Sequence, residues 1–223
     1  GVILDTMGES SEELQDAADS VSPGVVLYSE GMAVPHDMQG IVSGRVHNAL
    51  YYCPMLNLNK FIKPDFSIFR VAELFKEPIR REYNVAFFNG YGTEMNIFAP
   101  GKPEWAVEQY RYWGLSTRIL RENSTNFVSH DYTPLIPTTH DNIWVNRWNT
   151  EDKTVYTIYS LIPEGYKGHL FEVEPREGRH FVDLWNHREV EPKQENYKWL
   201  VEVETEAFNK SWLGTNNEGA IGC

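Results

Sequence analysis

Cysteine is scarce. Cys53 and Cys223 are the only two in 223 residues, which excludes a disulfide-built scaffold and a cysteine-rich zinc module. Both read as free thiols. No apolar run approaches the roughly 20 residues that a membrane-spanning helix needs, so a membrane partner is not expected. Positive charge is also in deficit: 20 Lys and Arg stand against 32 Asp and Glu, a net charge of −12 with no basic block. A phosphate backbone needs clustered Lys and Arg, so nucleic acid is excluded as a partner. There is no phosphate-cradling glycine loop, no Gly-x-Ser-x-Gly elbow, no Cys–His nucleophile pattern and no HExxH. No signal peptide is visible. The chain opens Gly1-Val2-Ile3-Leu4-Asp5, which reads as mid-strand, so a piece of a larger unit is expected.

What remains is the composition of a folded protein, 41% hydrophobic and 23% charged, long enough for one large domain or two ordinary ones. Aromatics reach 13%. The first half alternates strands and helices. Val2-Ile3-Leu4 is a short strand. Ser10 and Glu13 form a capping box, and Leu14, Ala17, Ala18 and Val21 follow on one helix face. Ser22-Pro23-Gly24 stops that helix, and Val25-Val26-Leu27-Tyr28 is the next strand. This is a β-α-β unit, which builds parallel sheets. Further along, Ala49 to Cys53 reads as a strand, 66–77 as a helix with Phe69, Ala72 and Phe75 apolar, and Val85-Ala86-Phe87-Phe88 as a strand ending in Asn89-Gly90-Tyr91-Gly92. Pro103 and Glu104 open a helix to about Arg121, buried along Ala106, Tyr110, Trp113 and Leu120.

After residue 128 the period changes to two. Ile143 to Trp148 and Thr154 to Leu161 make a hairpin around a polar turn, and His169–Val173, Arg179–Leu184 and Trp199–Val203 continue the series. The expected architecture is α/β over 1–128, followed by an antiparallel β-sandwich over 129–223. Trp144 and Trp148 share a strand face, which reads as core rather than as a sugar platform.

Two acids, Asp5 and Glu30, each end a strand of the opening unit. Parallel strands lie about 4.8 Å apart, and active sites of barrel folds lie at the carboxyl ends of strands. Such a pair approaches the roughly 5–5.5 Å separation of a retaining glycosidase, in which one carboxylate attacks and the other donates and accepts a proton. The competing reading makes Asp5 a loop cap and Glu30 a solvated acid. Asn89 and Tyr91 follow another predicted strand end, where they would hydrogen-bond and stack on a sugar or simply form a turn. His36 follows Glu30 closely and is placed to contact hydroxyls or to tune it; Glu94 is a third acid near the mouth; Arg45 and His47 are candidates for a polar wall. The pairs His36-Asp37, His130-Asp131 and His140-Asp141 lack metal-ligand spacing and read as surface turns, so no metal or other cofactor is expected.

The stretches Val2-Ile3-Leu4-Asp5-Thr6-Met7-Gly8 and Val25-Val26-Leu27-Tyr28-Ser29-Glu30-Gly31 resemble the fourth and fifth strands of a (β/α)8-barrel glycoside hydrolase. They are most similar to the endo-α-N-acetylgalactosaminidase type and its bacterial relatives. Phe181 to Asn186 resembles the all-β domain that follows many such barrels. The resemblance implies retaining hydrolysis of an α-linked sugar, with Asp5 as nucleophile, Glu30 as acid/base, and an oligosaccharide or glycoconjugate as substrate. A full barrel takes about 250 residues, so the N-terminal part of the same barrel is an expected partner. A secreted or periplasmic home follows only by analogy. Two rivals stand beside this reading: a non-catalytic carbohydrate-binding or structural protein, and a metal-dependent hydrolase using His36, Asp37 and Asp5.

Overall fold

A computed structural model describes residues 1–5, 12–30, 38, 41–46, 56, 58–74, 77–98 and 104–223. Its first half is a five-stranded parallel sheet: β1 (Val2–Leu4), β2 (Leu27–Glu30), β3 (Ser43–Val46), β4 (Ser67–Leu74) and β5 (Gly92–Ile97). Each strand pairs with the next. This order arises when every strand returns through a crossover and adds beside its predecessor. The helices are α1 (Glu12–Val21), α2 (Asn59–Ile62), α3 (Arg80–Phe88), α4 (Trp105–Glu122) and α5 (Ser124–Phe127). The predicted strand at Ala49–Cys53 and the capping residue Ser10 lie outside the described residues.

Register and the two-residue period divide the sheet into two faces. One carries Leu27, Ser29, Ile68, Arg70 and Ala72, all buried; α3 packs against β4. Arg70 Nε meets Glu82 Oε2 of α3 at 2.5 Å, with both side chains nearly inaccessible. The other face carries Ile3, Tyr28 and Glu30, then Ser43 and Arg45, then Phe69 and Val71, then Gly92 and Glu94. Gly92 is required there. A Cβ on it would lie 3.1 Å from the Phe69 ring.

Two sequence expectations are corrected. Residues 66–77 were expected to be helical, but Ser67–Leu74 is β4. Ile68, Arg70 and Ala72 alternate on the buried face, and the helical spacing of Phe69 and Ala72 is coincidental. Val85 to Phe88, expected to be a strand, is the last part of α3. Eight of the nine α3 residues are buried, because the helix contacts β4 and β5 as well as α4 and the antiparallel strands. A helix buried all round loses its amphipathic period and reads as a continuous apolar run. In α4 the buried stripe is Ala106, Gln109, Tyr112, Ser116 and Ile119. Tyr110 is therefore half-exposed, while Trp113 and Leu120 lean on the core from the flank.

Beyond α5 the strands are antiparallel. They are β6 (Asp131–Thr133), β7 (Ile143–Asn149), β8 (Thr154–Ser160), β9 (Tyr166–Glu172), β10 (Phe181–Asp183), β11 (Arg188–Val190), β12 (Lys193–Glu195), β13 (Lys198–Thr205) and β14 (Ala220–Gly222). They form sheets ordered β14-β8-β7-β6 and β12-β13-β9, with a β10-β11 hairpin. Ile143, Val145 and Ile158 of the first share an apolar cluster with Leu170, Phe171, Val201 and Val203 of the second. The two halves of the chain are not independent. Tyr159, Trp185 and Ile221 join the core of α3 and α4. Asn146 Nδ2 and Thr157 Oγ1 donate to the Phe88 carbonyl at 2.9 and 2.8 Å, closing the end of α3 with side chains from the antiparallel half. Trp148 is fully buried and stacks on Tyr132 with ring centroids 4.1 Å apart, so it is core, as its pattern indicated.

Candidate active site

The parallel sheet brings acids together at its carboxyl edge. Leu4 pairs with Ser29, and the next residues along these neighbouring strands are Asp5 and Glu30. Asp5 is exposed, and the Glu30 side chain retains 19% of its accessible surface. Glu30 pairs across the sheet with Arg45, and paired residues of parallel strands share a face. Arg45 Nη1 donates to Glu30 Oε1, and its Nε donates to Glu94 Oε2 at 2.9 Å. One guanidinium thus bridges acids on β2 and β5. It passes over β4, whose Phe69 lies opposite Arg45 in register.

Beneath the acids the surface is aromatic. Tyr28 meets Phe69 edge-to-face at 6.1 Å, and exposed Ile3 lies beside Tyr28. Burial, then the Glu94 charge, raise the Tyr28 phenol above its ordinary value, with Arg45 partly opposing. Burial alone would lower Arg45. The hydrogen bond that Arg45 donates to Glu94 and the charges of Glu94 and Glu30 outweigh it, so the guanidinium is held above its ordinary value. Among the described residues, the edge therefore holds two carboxylates, Glu30 and Glu94, on the Arg45 cation over an apolar floor, with Asp5 exposed at the end of the neighbouring β1.

Of the residues singled out in the sequence, Glu30, Arg45 and Glu94 meet at this edge, and Asp5 follows the end of the neighbouring β1. His36, Asp37 and His47 lie outside the described residues. Asn89 and Tyr91 are not brought to it. With 85–88 in α3, they form the turn that leads into the start of β5, not a turn that leaves the end of a strand. Asn89 is fully buried and its Nδ2 bonds to the Val85 carbonyl at 2.8 Å, one turn back in the helix. Tyr91 is buried too. Among the described residues, no three His, Cys, Asp or Glu side chains are grouped to hold a metal ion. A groove of about 1070 Å³ lies elsewhere, lined by Arg147, Tyr156, Arg179 and Phe181 among others. Sequence reasoning missed the Tyr28–Phe69 floor, because Phe69 was assigned to a helix; the alternation in Ser67 to Leu74 was the available signal.

The Tyr91 ring has a structural partner. Lys60 Nζ lies 4.6 Å from its centroid and donates to the carbonyls of Phe127 at 2.7 Å and Pro64 at 3.1 Å. Burial pulls the Lys60 amine down to about 8, with the Asp65 charge partly opposing. Between that value and the unfolded value near 10.5, the unfolded chain binds the extra proton, so stability rises with pH. Over pH 8 to 9.5 the gain is about 2 kcal/mol at 1.36 kcal/mol per unit. Burial holds the Cys223 thiol and the Tyr83, Tyr91, Tyr112 and Tyr132 phenols above their ordinary values, so the unfolded thiol and phenols shed protons as pH rises through about 9 to 10 and oppose the Lys60 gain. Urea midpoints measured from about pH 7.5 to 9.5 are expected to fall with pH in Lys60→Met and to hold level or fall less in the wild type, the Lys60 gain offsetting the loss from Cys223 and the phenols.

No family model matches the sequence, and no curated protein is similar to it in sequence. Solved structures share its fold. A cyclomaltodextrinase is similar with a TM-score of 0.55 at 10% identity, over 95% of this chain and 42% of that one. AmyP, solved in complex with maltose, has a TM-score of 0.53 at 7% identity, over 99% and 63%. The noncanonic maltogenic α-amylase AmyB from Thermotoga neapolitana has 0.52 at 11% identity, over 99% and 60%. The chain shares its fold with part of each of these structures. The chain spans less than two thirds of each of these structures. At such identities the likeness extends to the fold alone.

Proposed function

We propose that this chain is the C-terminal part of a (β/α)8-barrel glycoside hydrolase of the endo-α-N-acetylgalactosaminidase-like type. Residues 1–128 supply barrel strands and 129–223 a β-sandwich, and the N-terminal strands of the same barrel complete the inner face beyond β1. The reaction is retaining hydrolysis of an α-linked sugar. The Asp5 carboxylate attacks the anomeric carbon. Glu30 gives its proton to the departing oxygen, then removes one from the water that releases the sugar.

The observation that carries this reading is the placing of Asp5 and Glu30 after paired residues at the carboxyl ends of adjacent parallel strands. Neighbouring strands set the spacing near 4.8 Å, the scale of a retaining pair. The Tyr28–Phe69 floor offers an apolar surface for one face of a sugar ring. With Glu30 and Glu94 sharing the Arg45 guanidinium and Asp5 beside them at the end of β1, the described part of the mouth favours a neutral sugar over a uronate or a sulfated one. The test is a 2-fluoro aryl α-glycoside given to the full-length enzyme. Mass spectrometry of its peptides is expected to find the sugar esterified to Asp5. Label on another carboxylate would move the nucleophile elsewhere.

One observation favours the non-catalytic rival. Contact with a guanidinium favours an ionised carboxylate, whereas a general acid must hold a proton. That reading predicts binding of the oligosaccharide with no label and no turnover.

A further inference from the structure

The Arg45 bridge has a consequence that rests on the role proposed for Glu30. The charged and titratable groups facing Glu30 come from each neighbouring strand. β1 leads into Asp5, β2 carries Tyr28, β3 carries Arg45 and β5 carries Glu94. β4 contributes Phe69 and Val71 at this level, with Glu73 one step further along the same face. Among the described residues Arg45 is the cation of this set, and it is shared: Nη1 serves Glu30 and Nε serves Glu94. One charge cannot neutralise two carboxylates, so what it gives to one acid it withholds from the other.

We infer that Arg45 is a positioning residue, a clamp that fixes Glu30 and Glu94 in one frame across β2 to β5 and sets the pH at which Glu30 takes up its proton. Glu94 tempers the clamp. By drawing on the same guanidinium it weakens the hold of Arg45 on the ionised Glu30, while Arg45 stabilises the Glu30 carboxylate formed when the proton is given away. Both halves of the acid/base cycle are served by one shared cation. The two partners therefore act on Glu30 with opposite signs. Removing Arg45 makes its carboxylate harder to form; neutralising Glu94 makes it easier.

The experiment is a carboxyl ¹³C NMR titration of the full-length protein labelled at Glu, with Glu30 and Glu94 assigned through Glu30→Gln and Glu94→Gln. In Arg45→Met the Glu30 midpoint is expected to rise by about 1–2 pH units. In Glu94→Gln it is expected to fall by about half a unit or more. Arg45→Lys keeps the charge but loses the fork, so its midpoint moves least while kcat falls. If an aryl α-glycoside is turned over, the alkaline limb of kcat/KM moves with the midpoint, which a merely structural arginine would not cause. Should Arg45→Met fail to fold, Glu94→Gln decides. Midpoints unmoved in every folded variant, or moved in the same direction by both changes, overturn the clamp. Midpoints that move as expected in a protein that neither hydrolyses nor labels leave the clamp standing and remove the glycosidase reading.

Discussion

Asp5→Asn is expected to lower kcat of the full-length enzyme by about 10⁴-fold or more, a loss on the scale seen when a group that acts as nucleophile is removed. The amide keeps the size and shape of the carboxylate but has no charge to bring to the anomeric carbon. Asp5 is exposed, and an isosteric change at an exposed position shifts stability within about 0.5 kcal/mol. Activity is thus separated from folding. Initial rates on 4-nitrophenyl α-glycosides, with thermal midpoints measured in parallel, check both halves. A variant of normal stability and normal rate would contradict the assignment.

Glu30→Gln is expected to reveal its role through the leaving group. General acid assistance contributes typically 10²–10⁴-fold. It matters most when the departing oxygen is a poor leaving group, so a natural glycosidic bond should lose the full amount. Dinitrophenolate needs no proton to depart, so the first step on that substrate should be nearly unchanged. The second step still lacks its base, and the covalent sugar should accumulate and give a burst. Pre-steady-state release of dinitrophenolate measures this directly. A uniform loss across leaving groups would assign Glu30 to binding rather than to proton transfer.

The adjacency of the two strands that lead to these acids was legible because it depends on local signals. Apolar strands, a helix between them and an acid after each are all visible within the first thirty residues, and the structure pairs β1 with β2 in parallel. The change of texture near residue 128 was also visible, since strands of period two replace helices after α5. Other features were hidden for physical reasons. α3 buries Arg80, Glu82 and Asn84 along with its apolar residues, so its sequence does not divide into an exposed polar face and a buried apolar one that would mark it as a helix. Its misreading as a strand carried Asn89 and Tyr91 to a strand end, whereas they pack beneath a helix cap. The importance of Arg45 depends on the register of β3 against β2 and on β5 lying within reach across β4. No periodicity within one segment contains that information. The shared core is likewise not local: Trp185 packs against Phe87 and Tyr112 at ring-centroid distances of 6.1 and 5.0 Å, although a composition boundary lies between them in the chain.

The account depends most directly on where the Asp5 and Glu30 carboxyl groups stand when a sugar lies between them. A crystal structure of the full-length enzyme with a monosaccharide-like iminosugar bound over Tyr28 and Phe69 would measure it. The account predicts carboxyl groups about 5–5.5 Å apart, flanking the ring of the bound inhibitor. Carboxyl groups on opposite faces of the sheet, or an inhibitor bound away from both, would contradict it.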